Sequence, residues 1–336
     1  MQLERWLSIL LIFAKVPCNI QIFIISIFAK LMRLKSSADF SLAGCFQILR
    51  FSSLYKIDGT INLNAHQCYG NINTYPGFQK ELEFYKDNII SLVDGKACKT
   101  FYKFGDGDYY FLKGQPCGSA CPGKRAISKQ YHEIDHQVFG EGVLKNDFIT
   151  VEIYPENRKM FQELFPERVI DYPAEYAYGL VANKWFFKRF KGRIGLIGAR
   201  EKLQLIRELM KYNQYKEYLG TDEFNDYICI PQKYACDDVN ALEQSIGKQL
   251  SESNADIFLI GIGHVKSALL HRMKKYKKAV YIDVGSGIDA IAGCINIRWP
   301  YAGDWTNFRI RNHDYTTIDY FHYYGTGKHI LLDRQV

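Results

Sequence analysis

The apolar and polar positions divide the chain into an amino-terminal stretch of its own kind and a long alternating region that begins near residue 77. In that region, residues 78–93 carry apolar side chains at helical intervals and predict a helix. A turn at Asp94-Gly95-Lys96 follows, then a β-rich run at 100–104 (TFYKF). Residues 126–138 are predicted as a helix and 148–154 (FITVEIY) as a strand. Further strands are predicted at 194–197 (IGLI), 227–230 (YICI), 257–262 (IFLIGI) and 279–284 (AVYIDV). Helices are predicted between them at 201–211, 237–251 and 265–276. Short apolar strands alternating with helices predict an α/β fold with a mostly parallel, Rossmann-like sheet and flanking helices. Such sheets bind ligands beyond the carboxyl ends of their strands, so chemistry is sought just after each apolar run.

The amino-terminal stretch differs. Residues 6–29 (WLSILLIFAKVPCNIQIFIISIFA) are long enough to cross a bilayer. Lys15 near the middle opposes insertion by about 3 kcal/mol. Pro17, Asn19 and Gln21 weaken the segment further. The readings are a membrane anchor, a peripheral hydrophobic hairpin, or an extension outside the functional protein. If it spans, Lys30, Arg33 and Lys35 place the bulk of the chain in the cytoplasm. The expected organisation is a hydrophobic segment at 1–35, a lead-in at 36–76, a catalytic domain at 77–310 and a tail at 311–336.

Composition narrows this only in part. The 336 residues are 47% hydrophobic and 24% charged, which excludes a disordered chain. The net charge of +7 is mild and interleaved, so no nucleic-acid partner is expected. The basic run at 271–278 (HRMKKYKK) reads as the solvated end of a helix. Nine cysteines at irregular spacing read as thiols in a reducing compartment, in line with a cytoplasmic location.

The first strand runs into Gly105-Asp106-Gly107-Asp108. In an extended segment, residues two apart share a side, so Asp106 and Asp108 would aim at one point. Hard oxygens at that spacing suit Mg²⁺ or Mn²⁺ on a substrate diphosphate. An ordinary Asp-Gly turn is the competing reading.

The stretch 95–114 (GKACKTFYKFGDGDYYFLKG) resembles the R-F-G-D-G-E signature of the GT-D-fold glycosyltransferases, with Lys103 in place of Arg and Asp108 in place of Glu. Residues 256–276 (DIFLIGIGHVKSALLHRMKKY) resemble that family's strand–Gly–helix segment, with His264 in place of Pro. Residues 279–298 (AVYIDVGSGIDAIAGCINIR) resemble its closing segment. The resemblance covers roughly residues 77–301. It implies a metal-dependent transfer of a sugar from a nucleotide-diphosphate sugar to a hydroxyl on a glycan or glycoprotein. Asp106 and Asp108 would hold Mn²⁺ or Mg²⁺. The donor would be held by Lys103, Phe104, Gly105, Gly107, Gly261, Gly263, His264, Asp283, Gly285, Ser286 and Arg298, with Asp289 as general base or sugar contact. For the glycines, close strand–helix packing is the plain alternative.

Three further motifs compete. His132-Glu133-Ile134-Asp135-His136 fits the H-E-x-x-H of zinc peptidases. The segment 118–124 (GSACPGK) fits G-x-x-x-x-G-K but lacks the following Ser or Thr, and reads as a surface loop. The segment 281–287 (YIDVGSG) resembles the first motif of S-adenosylmethionine methyltransferases, but it lies too near the end of the chain for the usual order. A catalytically inactive domain that binds glycan or a partner is the non-enzymatic alternative.

Overall fold

The computed structural model describes residues 78–115, 128–152, 155–174, 176–177, 181, 184–294, 306–316, 318 and 329–333. The segment 6–29, the loop 118–124 and Arg298 lie outside the described residues. Among the described residues, no helix is long and apolar enough to cross a membrane.

The elements follow the alternation closely. Helix α1 (Phe78–Asp94) leads into β1 (Lys99–Phe104). Next come α2 (Asp106–Leu112), α3 (His136–Leu144), β2 (Phe148–Val151), α4 (Pro155–Leu164) and β3 (Tyr172–Pro173). The second half holds α5 (Lys184–Arg189), β4 (Ile194–Ala199), α6 (Arg200–Leu209), α7 (Asn213–Leu219), β5 (Asp226–Ile230), α8 (Val239–Glu252) and β6 (Ile257–Gly261). Then follow a 3₁₀ turn (Gly263–Val265), α9 (Lys266–Leu269), a second 3₁₀ segment (Leu270–Lys275), β7 (Val280–Asp283), α10 (Gly287–Ile291), β8 (Asn307–Ile310) and β9 (His329–Leu332).

Strands β1 to β7 form one sheet in the order β3-β2-β1-β7-β6-β4-β5. Every neighbouring pair in it is parallel. The protein is therefore α/β, as its alternation predicts. Successive residues of each strand face opposite layers. In β1, Phe101 enters one core while Tyr102 and Phe104 enter the other. The first layer holds α1, α5, α6, α7 and α10, anchored by residues such as Tyr85, Phe186, Ile206, Tyr215 and Ile288. The second holds α2, α3, α4, α8 and α9, through residues such as Phe111, Phe139, Phe161, Ile246 and Leu269. In α1, Tyr85, Ile89 and Val93 recur every four residues and are all buried, which is why this stretch is helical against the sheet.

One expectation differs from the structure. The helix expected at 126–138 begins only at His136, because the Asp135 carboxylate accepts N–H bonds from Gln137 at 3.1 Å and Val138 at 3.3 Å. Such a cap fixes where the helix starts. Tyr131–Glu133 forms a separate 3₁₀ turn before it. The region 311–336, read as a tail, carries β9, which pairs in parallel with β8, and Tyr315, Ile318 and Leu332 join the first core, as a packed carboxyl end does.

The basic run lies in the second 3₁₀ segment and in the turn after it, and several of its charges are paired. Arg272 and Lys275 meet Glu243 at 2.8 and 3.2 Å, and Lys274 meets Asp147 at 2.8 Å. His271 is half-buried among them. Burial, then the charges of Arg272, Lys145 and Lys275, push its imidazole down from 6.5 to about 4. The folded protein thus holds His271 neutral, so stability is full above about 6.5 and falls as pH drops toward 4. An NMR titration of the His271 ring should show its midpoint near 4, and a midpoint near 6.5 would contradict this.

Candidate functional site

Strands β1, β6 and β7 end side by side. The chain leaves β1 toward the second layer through α2, and leaves β7 toward the first layer through α10. Adjacent parallel strands whose connections depart to opposite faces open a crevice at their carboxyl ends. The segments expected to carry chemistry converge here.

The Gly-Asp-Gly-Asp segment is not extended. Gly105 is the N-cap of α2, and the helix starts at Asp106. The Asp108 carboxylate accepts the Gly105 N–H at 2.9 Å, closing the first turn, and acidic residues there are favoured by the helix dipole. On a helix, residues two apart are rotated by about 200°, so the two carboxylates diverge. Asp106 is exposed and accepts the Gly107 N–H at 2.7 Å, whereas Asp108 is 5% exposed. The shared aim expected of the pair is therefore not formed.

Asp108 turns inward to a residue that sequence reasoning passed over. The Lys266 ammonium lies 3.1 Å from Asp108 Oδ2 and 2.7 Å from Asp283 Oδ2, and it donates to the Lys103 carbonyl oxygen. It also sits 4.6 Å from the centre of the Tyr102 ring, whose hydroxyl is 2.7 Å from Ser267 Oγ. Lys266 is only 6% exposed. His264 Nδ1 is 3.4 Å from Asp108 Oδ1, and the His264 ring stacks on Phe111. Burial opposes ionisation of Asp108, but Lys266, His264 and Lys103 outweigh it and hold the carboxyl well below the usual range. Asp283 is also buried. Its Oδ2 accepts the Lys103 N–H at 3.2 Å and its Oδ1 the Gly285 N–H at 2.9 Å. Both of its oxygens are thus engaged by the protein. The half-buried Lys103 side chain has its charge favoured by Glu152, Asp283, Asp108 and Asp106, which outweigh its burial.

The glycines divide. A Cβ at Gly261 would stand 2.6 Å from both the Gly285 carbonyl and Ile288, so this glycine permits close packing of β6 on the turn after β7. Gly285 has φ +48, and a Cβ there would touch the Lys103 chain at 3.1 Å. Gly263 also has a left-handed backbone, with φ +61, but a Cβ there would meet open space. Gly107 is half-buried in the first turn of α2, and the half-exposed Ser286 directly precedes α10. The Phe104 ring is wholly buried against Phe161 in the second core. Asp289 forms an ion pair with Lys202, so as a general base it would first have to leave that partner.

The carboxylates do not fit a divalent ion in the arrangement expected. Among the described residues, no group of three or more His, Cys, Asp or Glu could hold a metal. Asp106 faces outward, and Asp108 is engaged by a lysine, a histidine and a backbone N–H. The H-E-x-x-H reading also loses its geometry, because the Asp135 cap divides His132 from His136 and His132 is 82% exposed. The methyltransferase reading would need the strand carrying 281–287 to come first in the sheet, but among the described residues β7 is the last of that sheet in sequence.

Fold and site together define a Rossmann-like α/β protein with a buried charged cluster at the carboxyl ends of β1, β6 and β7. No protein-family model matches the sequence, and no curated protein matches it. Among solved structures, the chain is similar to a glycosyltransferase (DUF1792) from Streptococcus sanguinis, with 12% identity and a TM-score of 0.39 over 61% of this chain and 81% of that one. A likeness at this level assigns neither a residue role nor a reaction.

Lys266 had a signal in the sequence. It is a lone charge inside the apolar stretch 262–270 (IGHVKSALL), directly after a buried strand. A lysine so placed must find buried partners.

Proposed function

We propose that the protein is a glycosyltransferase that binds a nucleotide-diphosphate sugar in the crevice and passes the sugar to a hydroxyl on a glycan or glycoprotein. One observation carries this reading. The three segments that resemble the GT-D-fold enzymes lie far apart in sequence, yet they meet at one point through Asp108, Lys266 and Asp283. In this reading Asp106, the outward carboxylate, faces the donor or acceptor. Lys103 offsets diphosphate charge, and Arg298 adds to it from beyond the described residues. Gly263 and Ser286 line the rim. Asp108, Asp283 and Lys266 set the shape and charge of the floor. The segment 6–29 as a membrane anchor, with the catalytic domain on the cytoplasmic side, belongs to the same reading.

The test is a thermal-shift and calorimetric screen of nucleotide-diphosphate sugars against the full chain, with S-adenosylmethionine as control. One donor should bind, and Lys103→Ala should weaken it about tenfold, equivalent to about 1.4 kcal/mol. Asp106→Asn should lower transfer while the fold is kept, since Asp106 is exposed. No binding by any donor, or binding of S-adenosylmethionine, would end this reading. Binding of glycan without any donor would favour the inactive, glycan-binding alternative.

A further inference from the structure

The floor of the crevice holds an oxygen cradle. Asp108 Oδ2, Asp283 Oδ2 and the Lys103 carbonyl oxygen all converge on one nitrogen, Lys266 Nζ. Three hard oxygens around one point, two of them carboxylate, form the donor type that Mg²⁺ and Mn²⁺ select. Here an ammonium occupies that point. The remaining acceptor positions of both carboxylates also have partners: Gly105 N–H and His264 on Asp108, Lys103 N–H and Gly285 N–H on Asp283.

We propose that Lys266 is a built-in cation that fills a divalent-metal cradle formed by Asp108, Asp283 and the Lys103 carbonyl, so that the native protein takes no metal there and loss of the lysine creates a metal site. The argument is steric and electrostatic. A divalent ion and the ammonium cannot share a position enclosed by three oxygens. Lys266 lies between the two buried carboxylates, and Lys103 and His264 add positive charge beside Asp108. Lys266 is also held by its aliphatic chain in a buried helix and by the Tyr102 ring, so withdrawing it would expose two carboxylates to each other. The inference stands on the cradle and does not depend on sugar transfer.

Mn²⁺ alone is the probe, followed by the intensity of its free-ion electron paramagnetic resonance spectrum, with every protein sample first stripped by chelator. With the native protein, free signal should match that of buffer. With Lys266→Ala, free signal should fall by about one equivalent, as expected when a carboxylate pair gains a hard cation. The double variant Lys266→Ala/Asp108→Asn should lose that uptake. Stoichiometric uptake by the native protein that disappears in Asp108→Asn would overturn the proposal. So would a folded Lys266→Ala that takes up no Mn²⁺. If Lys266→Ala does not fold, the native and Asp108→Asn measurements decide: no uptake by either sustains the filled cradle. A failed donor screen leaves these outcomes unchanged, so the two readings fail separately.

Discussion

Lys266→Met is expected to destabilise the domain by about 3–5 kcal/mol, the usual loss when one partner of a buried ion pair is removed. The methionine replaces most of the volume, so the loss is electrostatic and not a cavity. Asp108 and Asp283 would be left buried with no ammonium between them, and two like charges at low dielectric cannot both stay ionised at little cost. One carboxyl should therefore be raised above its unfolded value. A raised carboxyl favours folding only where it is protonated, so the variant should recover part of its stability as pH falls, and the deficit should be larger at neutral pH. Urea denaturation of native and variant protein at two pH values measures this. Adding Asp108→Asn to Lys266→Met should cause less further loss than Asp108→Asn causes alone, because the pair acts as a unit. Equal stability of Lys266→Met and the native protein would show that the ion pairs are not energetically engaged.

Gly142→Ala should have the next largest effect. Gly142 lies in α3 where it crosses α9, and an added Cβ would come within 2.0 Å of the Ser267 carbonyl oxygen. That contact is with backbone, so no side-chain rotation relieves it, and the two helices must separate. Overpacking of this kind is worth about 1–3 kcal/mol, sometimes more. Ser267 is the neighbour of Lys266, so the same movement should disturb the floor of the crevice and weaken donor binding together with stability. Gly140, in the same helix, is the control: an added Cβ there would have nothing within 4 Å. Gly140→Ala should stabilise by up to about 1 kcal/mol through helix propensity. Thermal melts of the two variants should move in opposite directions, and parallel shifts would refute the crossing geometry.

The sheet was legible in the sequence because each strand is a short apolar run closed by a turn. The runs at 194–197, 257–262 and 279–284 sit almost where β4, β6 and β7 lie. The strand β3 was not legible, since Tyr172–Pro173 is two residues long and set by its neighbour β2. Helix α4 was also missed because it is mostly polar, and β8 because Asn307 and Arg309, though buried, interrupt its apolar run. At the site, the sequence located the three converging segments but not the roles within them. Asp106 and Asp108 look equivalent as a D-x-D. What separates them is that Gly105 caps a helix, a choice made by the strand that ends at Phe104 and the core that buries Phe111. Lys266 shows in a local reading only as a lone charge in an apolar stretch, because its partners come from positions 103, 108 and 283.

Strand β7 lies between β1 and β6, and among the described residues it alone joins the half-sheet β3-β2-β1 to the half-sheet β6-β4-β5. The bond from Lys103 N–H to Asp283 spans 180 residues of chain. Closing so long a loop is an entropic step that precedes any reward from the contacts it brings, and topologies of this kind fold slowly. The crevice floor can form only when that step is complete, because Asp108 belongs to one half and Lys266 to the other. Refolding followed by an interior probe in either half should therefore run ahead of recovery of the Asp108–Lys266–Asp283 cluster, and a donor analogue bound in the crevice should slow unfolding by holding the two halves together at their junction.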